Sequence, residues 1–516
     1  YPSTEGISQG FLRELCRAAA RRFAERLVEP LPEAELARLG LPPLPRAVRE
    51  LHEPADLARF EVASRRVARE PVLRLQARLW ERRKERAQGR ALPIAIAEGL
   101  HRELVARLPF APTKGQLAAM ADLRADLGRS VPMRRLLQGD VGSGKTAVGL
   151  YACMAAAAVG GQAAFMAPTE LLAEQHAYGQ REVLGRAGLR AALLSGSLAA
   201  KERKAVLAAA ARGQVDIVFG THALFSEDVR FERLALAVID EQQRFGVAQR
   251  QRLLDKGRDV HALLMTATPI PRSLALTVYG DLDLTLLAEK PPGRGPVHTR
   301  WLRGPDTRRA LEVIEARLAA GEQAYWVVPR IEEEEPGMAG AVAAFERLRT
   351  LPVARFGIEL VHGRMPAAER AERLERFRRG EARLLVSTTV IEVGVDVPRA
   401  SVLAVQSAER LGLAQLHQLR GRIGRSERES WCFLLGRATA AERFRVLEAT
   451  NDGFEIAERD LALRGMGDLV GLRQSGESGL GDPRRDLDLL LFARDLVARD
   501  ALLRDHYLRE ATEETI

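Results

Sequence analysis

Gly139-Asp140-Val141-Gly142-Ser143-Gly144-Lys145-Thr146 follows the short apolar run Leu136-Leu137 and opens an Ala-rich stretch from Ala147 to Val159. Strand, glycine-rich loop and helix in that order are what a phosphate cradle needs. The glycines let backbone N–H groups turn inward around phosphate oxygens, where a side chain at Gly144 obstructs. The helix N-terminus adds unsatisfied N–H groups and the positive end of its dipole. Lys145 is expected to reach the β- and γ-phosphates and the Thr146 hydroxyl to ligate Mg²⁺. The octapeptide therefore predicts binding of a nucleoside triphosphate.

With 516 residues the chain exceeds one hydrophobic core, and three or four domains are expected. Its 46% apolar and 28% charged content excludes wholesale disorder. No apolar run is long enough to span a bilayer, and no membrane partner is expected. Tyr1 is not an initiator methionine, so the sequence is expected to be a piece of a longer protein. A formal net charge of +9 is compatible with nucleic acid, although the excess of Arg over Lys also fits a GC-rich genome. Cys16, Cys153 and Cys432 are isolated and odd in number, which supports neither a disulfide framework nor a zinc site and fits a reducing cytoplasm.

Residues 1–104 read as a charged helical segment, with apolar residues at three-to-four spacing over Phe11–Val28 and Leu57–Arg86. Pro71 is expected to kink or divide the second stretch. From 105 to 290 short apolar strands alternate with helices, with strands expected at Ala163–Met166, Asp216–Phe219, Leu236–Ile239 and Ala262–Met265. The linker signature Lys290-Pro291-Pro292-Gly293-Arg294-Gly295-Pro296 precedes a second series over 291–436. Its strands are expected at Gln323–Val328, Glu359–His362, Arg383–Ser387 and Ser401–Val405, and 437–516 turns helical again. The fold class is α/β: two tandem parallel-sheet lobes flanked by helical segments, with a P-loop in the first lobe alone.

A P-loop needs an acidic partner at a neighbouring strand end, and Val238-Ile239-Asp240-Glu241 supplies it. Asp240 is expected to hold Mg²⁺ through water, and Glu241 to orient and deprotonate the attacking water. Transition-state charge calls for cations from the second lobe, where Gln418-Leu419-Arg420-Gly421-Arg422-Ile423-Gly424-Arg425 offers Arg422 and Arg425 as arginine fingers. Arg420 reads as a solvated residue of a basic loop.

In this order the motifs resemble those of superfamily 2 helicase and translocase motors, whose lobes are RecA-like. Phe110 with Gln116 resembles the adenine-reading Q motif, Gly139–Thr146 motif I, and Pro168–Leu172 with Thr169 motif Ia. Gly220-Thr221-His222 resembles motif Ib, Asp240-Glu241-Gln242-Gln243 motif II, and Thr266-Ala267-Thr268 motif III. Tyr325–Ile331 resembles motif IV, Ser387–Pro398 with Thr388, Gly394 and Asp396 motif V, and Gln418–Arg425 motif VI, in which Gln418 joins the catalytic set. The resemblance implies strand contacts from Thr169, Thr221, His222 and Thr388.

Asp452–Leu461, Leu463-Arg464-Gly465-Met466-Gly467-Asp468 and Gln474-Ser475-Gly476 resemble the translocation motif shared by RecG-type branch-migration helicases and the transcription-repair coupling factor. That implies movement on double-stranded DNA, with Arg464 and Gln474 as lever residues. The opening Tyr1–Ile7, Asn451–Glu458, Gly280–Asp283 and His417 within motif VI favour the RecG type. Residues 1–104 then link the motor to a missing N-terminal wedge domain, an OB-fold that splits forks. The implied activity is remodelling of stalled forks and branch migration of Holliday-type junctions by a monomer on the bacterial nucleoid, with single-stranded DNA-binding protein as a further partner of the family. The coupling motor and a non-translocating ATP-binding module stand as alternatives. Position 243 departs from the usual histidine of RecG motif II: Gln243 can hydrogen-bond but carries no charge. Aromatic content of 5%, without Arg-interleaved runs, disfavours a base-stacking platform.

Overall fold

The sequence alternates apolar runs with helices twice, and the computed structural model places each series on its own all-parallel sheet. It describes residues 8–268, 281–289, 291, 293–329, 336–388, 397–464 and 483–513. These fall into two units, one gathering the described residues of 1–88, 271–282 and 461–516, the other those of 89–270 and 283–460.

The second unit holds both sheets. The first has seven strands: β1 (Arg134–Gly139), β2 (Gln162–Met166), β3 (Ala191–Leu194), β4 (Ile217–Gly220), β5 (Leu234–Ile239), β6 (His261–Thr266) and β7 (Asp283–Leu287). Their order is β3-β4-β2-β5-β6-β1-β7. β5 and β6 are buried along their whole length, as strands covered by helices on both faces must be. The order sets β1, β6 and β5 side by side, so the P-loop, Thr266–Thr268 and Asp240-Glu241 leave the same sheet edge as neighbours. Ligands of open parallel sheets bind at such carboxyl ends.

The second sheet joins β8 (Val297–Leu302), β9 (Gln323–Val328), β10 (Ile358–Val361), β11 (Leu384–Thr388), β12 (Ala400–Gln406) and β13 (Ser430–Leu435) in the order β10-β11-β9-β12-β13-β8. The eight strands expected from the two series all occur, shifted by a residue or two at some ends. The order repeats that of the first sheet, with β12 standing where β5 stands. After β5 the chain turns through Glu241 at φ +47° into a 3-10 turn, and after β12 it turns through Ser407 at φ +50° into another.

The first unit is helical among its described residues. Helix Leu57–Val67 ends before Glu70–Gln88 begins, so Pro71 sits in a first turn, where its missing N–H has no partner to lose. Glu70–Gln88 packs against Pro483–Arg499 and Ala501–Glu513, bringing the two ends of the sequence together. At their junction lies Arg66, fully buried, with Nη2 2.6 Å from Glu29 and Nη1 2.5 Å from Glu70. The buried Tyr507 hydroxyl donates to the other oxygen of Glu70 at 2.9 Å, and burial raises its pKa. Among the described residues no helix is long and apolar enough to cross a membrane.

Removing the cation from such a network leaves two partly buried carboxylates facing each other. Arg66→Ala is expected to destabilise the helical unit by about 3–5 kcal/mol, read as a lowered urea midpoint. A loss below about 1 kcal/mol, typical of an exposed pair, counts against the network.

Candidate active site

β1 delivers Gly139 to the loop, and the helix Lys145–Ala158 begins at its far side. Gly142 and Gly144 take φ of +75° and +83°, a region that L side chains rarely enter. A Cβ at Gly144 falls 2.1 Å from Gln116 Nε2, which shows how closely the loop is held. That amide is engaged at both ends. Gln116 Oε1 accepts from Thr113 N at 3.0 Å within a capping box, and Nε2 donates to the Ser143 carbonyl at 2.9 Å. Gln116 thus props the P-loop, while Phe110, half-exposed, lines the cavity beside it.

Lys145 Nζ donates to the carbonyls of Gly139 at 2.8 Å and Asp140 at 3.0 Å. Burial pushes its pKa down, opposed by the charges of Glu241, Asp240 and Asp140. The Ser143 hydroxyl is buried without a hydrogen-bond partner inside the loop. A buried cation, an orphaned hydroxyl and a cradle open only to glycine fit a bound phosphate chain.

Asp240 and Glu241 follow β5 directly. Asp240 Oδ1 accepts from Glu241 N at 3.0 Å, and Oδ2 lies 3.2 Å from His176 Nε2. His176 comes from the helix Glu170–Gly179, which the Thr169 hydroxyl caps by accepting from Leu172 N at 3.4 Å. Gln243 bridges two motifs: its Nε2 donates to Glu241 Oε2 at 2.7 Å, and its Oε1 accepts from Thr266 Oγ1 at 3.1 Å. The Thr266 and Thr268 hydroxyls pair at 2.6 Å. Among the described residues no cluster of three His, Cys, Asp or Glu stands ready for a metal ion. Thr146 and Asp240, a hydroxyl and a carboxylate lining the same cavity, would suit a divalent cation bound together with phosphate.

The second lobe completes the site. Gln418, Arg422 and Arg425 line the same cavity of about 420 Å³ as Lys145, Thr146, Asp240 and Glu241. Gly421 allows this approach, since a Cβ there falls 2.6 Å from the Val141 side chain of the P-loop.

Arg420 is not solvated, contrary to the sequence expectation. It is buried, and its Nη1 donates to the carbonyls of Leu447 at 2.7 Å and Thr450 at 2.9 Å. The residue after a basic loop's last apolar position looks exposed in sequence, yet it faces the carbonyl end of the helix Ala441–Ala449. Sequence reasoning also missed His176 and Arg294. The Arg294 guanidinium lies against the P-loop, 1.9 Å from where a Gly142 Cβ would be, although its place in a Pro-Gly linker suggested only a spacer.

The strand-contact candidates divide. His222 is exposed, whereas Thr221 and Thr388 are buried with hydroxyls turned inside. Gly394, Asp396 and Gln474 lie outside the described residues, and Arg464 ends the helix Gly453–Arg464 with its side chain outside them.

Three families match the chain in sequence: the DEAD/DEAH box helicase family over residues 113–277, the helicase conserved C-terminal domain over 308–427, and the C-terminal domain 3 of the ATP-dependent DNA helicase RecG over 450–515. The ATP-dependent DNA helicase RecG of Escherichia coli K12 is 46% identical over 498 residues, 93% of this chain and 71% of that protein. The Thermotoga maritima RecG is 42% identical over 501 residues, 96% of this chain and 64% of that protein. A solved structure of RecG bound to a three-way DNA junction matches with a TM-score of 0.75 at 40% identity, covering 95% of this chain and 65% of that one. The DEAD-box helicase Mss116 bound to single-stranded RNA matches at 0.55 with 16% identity, covering 78% and 90%, a likeness of fold alone.

Gln243 uses a donor and an acceptor at once, and a neutral imidazole offers the same pair. Gln243→Ala is expected to lower DNA-stimulated ATP turnover roughly tenfold, the worth of about one hydrogen bond. Gln243→His is expected to retain most of it. Equal losses in both variants speak against the bridging role.

Proposed function

Because the chain belongs to the RecG family of ATP-dependent DNA helicases, we propose that it converts ATP hydrolysis into movement along double-stranded DNA, remodelling stalled forks and branch-migrating Holliday-type junctions. The observation that carries this reading is a cavity shared by both lobes, with the phosphate cradle and acids on one wall and Gln418, Arg422 and Arg425 on the other. A site built from two lobes ties hydrolysis to their relative placement, which a passive nucleotide sensor does not need. The match of residues 450–515 to RecG domain 3 favours this branch over a transcription-repair coupling motor.

The roles follow from position. Lys145 and the P-loop N–H groups neutralise and orient the phosphates, while Phe110 faces the base. Thr146 and Asp240 hold Mg²⁺, which when bound spreads the negative charge of the transferring group. Glu241, oriented by Gln243 and the Ala267 N–H at 3.4 Å, takes the proton of the attacking water. Arg422 and Arg425 meet charge that develops only in the transition state.

Duplex tracking is assigned to phosphate contacts at Thr169 and His222, joined by Thr221 and Thr388 when the lobes rearrange, with Arg464 and Gln474 levering the strand. The chain spans 60–71% of the length of the relatives above and of the Synechocystis RecG. Fork splitting is therefore assigned to sequence beyond it, and a monomer on the bacterial nucleoid is the simplest acting form.

Lys145→Ala is expected to abolish DNA-stimulated ATPase, and Arg425→Ala to lower its kcat by about 10³-fold or more. No turnover in the parent chain sinks the motor reading. Duplex binding is expected to weaken steeply with salt and to show little sequence preference. A shallow salt dependence counts against phosphate tracking. A fork-reversal assay on this chain with and without a RecG wedge is expected to show ATPase in both and efficient reversal only with the wedge.

A further inference from the structure

Asp140 belongs to the P-loop, yet its carboxylate does not face the phosphate cradle. Oδ1 accepts from Val141 N at 2.6 Å and lies 2.5 Å from Nε2 of His417, on the motif VI helix Leu413–Arg420 of the second lobe. Both side chains are about 95% buried. His417 Nδ1 in turn meets Arg420 Nη2 at 2.9 Å. A guanidinium only donates, so Nδ1 accepts, and the proton on Nε2 is directed at Asp140. Arg420 Nη1 faces the carbonyls of Leu447 and Thr450 and the Thr299 hydroxyl at 3.2 Å, sharing its two protons among the three. Thr450 Oγ1 then accepts from Asp452 N at 3.1 Å, and Asp452 Oδ1 accepts from Phe454 N at 2.8 Å, starting the helix Gly453–Arg464.

From these contacts we infer that His417 is a positioning residue that transmits P-loop state to the start of the helix leading into the translocation motif, through the buried side chains of Asp140, His417 and Arg420 and then through the half-buried Thr450 to the exposed Asp452. A shift of Asp140 takes from His417 Nε2 the carboxylate oxygen it meets, and through His417 Nδ1 it disturbs a fixed partner of Arg420. Unpairing Asp140, His417 or Arg420 in their buried site is costly, so these three side chains move together or part together. A cavity of about 310 Å³, lined by Asp140, His417, Arg420 and the interlobe linker, borders the contact. His417 does not line the nucleotide cavity.

The inference rests on the ATP-driven translocation proposed above, and its test separates the two. ATPase kinetics are measured with and without duplex DNA for the parent chain, His417→Leu and His417→Gln, each matched to the parent by thermal melting. Leu fills the space without hydrogen bonds, whereas the Gln amide supplies one donor and one acceptor. His417→Leu is expected to lower DNA-stimulated kcat about tenfold or more while KM for ATP stays within about twofold, as for a group that acts beyond the binding step. His417→Gln is expected to recover most of the stimulation. Should the Leu variant not fold, His417→Asn, polar but too short to reach both partners, carries the same expectation. A Leu or Asn variant stimulated like the parent overturns the inference, as does a loss confined to KM or an equal loss in Gln and Leu. A parent chain without DNA-stimulated turnover overturns the translocase reading together with it.

Discussion

Lys145 is a cation buried at the head of a helix whose other residues are almost all apolar and buried. An unpaired ammonium there is costly, so its surroundings must answer it. Two carbonyls of its own loop accept its protons, and three carboxylates oppose the burial penalty. Those carboxylates can stand close only because β1, β6 and β5 are neighbours. Strand order, loop conformation and acid placement are therefore one constraint seen at three scales. The same arrangement makes the loop a strong anion site once its own carbonyls are exchanged for phosphate.

The second lobe meets that loop by backbone-close contact at Gly421 and by the buried Asp140–His417 pair. These are short-range interactions with steep distance dependence, unlike the long reach of charge in water. An interface of this kind is held or released rather than graded, the behaviour expected of packed, bistable elements. The helical unit solves a different problem. Its helices come from the two ends of the described sequence, and the Arg66, Glu29, Glu70 and Tyr507 network joins them through polar contacts that specify one arrangement.

Legibility in the sequence followed the physics of each element. Strands buried on both faces, such as Leu234–Ile239 and Gln323–Val328, announce themselves as continuous apolar runs. β7 and β8 sit at sheet edges, are only partly covered and carry Asp, or His and Arg, so no run marks them, while the edge strand β3 is apolar but only four residues long. β13 has its run, Cys432–Leu435, but enters it straight from a basic loop. The P-loop, the acids and the arginines of the cavity were readable because their chemistry depends on residue type and spacing. Arg420, His176 and Arg294 were not, because each acquires its role from a partner distant in sequence. Local reading also treats Gln116 as facing the base, whereas both ends of its amide are turned to the backbone.

Glu241 and Ser407 occupy matching corners of the two sheets, each in a left-handed conformation that costs a non-glycine residue about 1–3 kcal/mol. If that strain served catalysis alone, the lobe without acids would have no reason to keep it. Its presence in both makes the bend a property of the architecture, a corner every such sheet must turn. At this corner the two lobes differ in the side chain mounted on the bend, a carboxylate in one and a hydroxyl in the other. The bend is therefore a mount whose cost the sheet bears whichever side chain it carries, so the chemistry at the corner can be exchanged without redrawing the backbone.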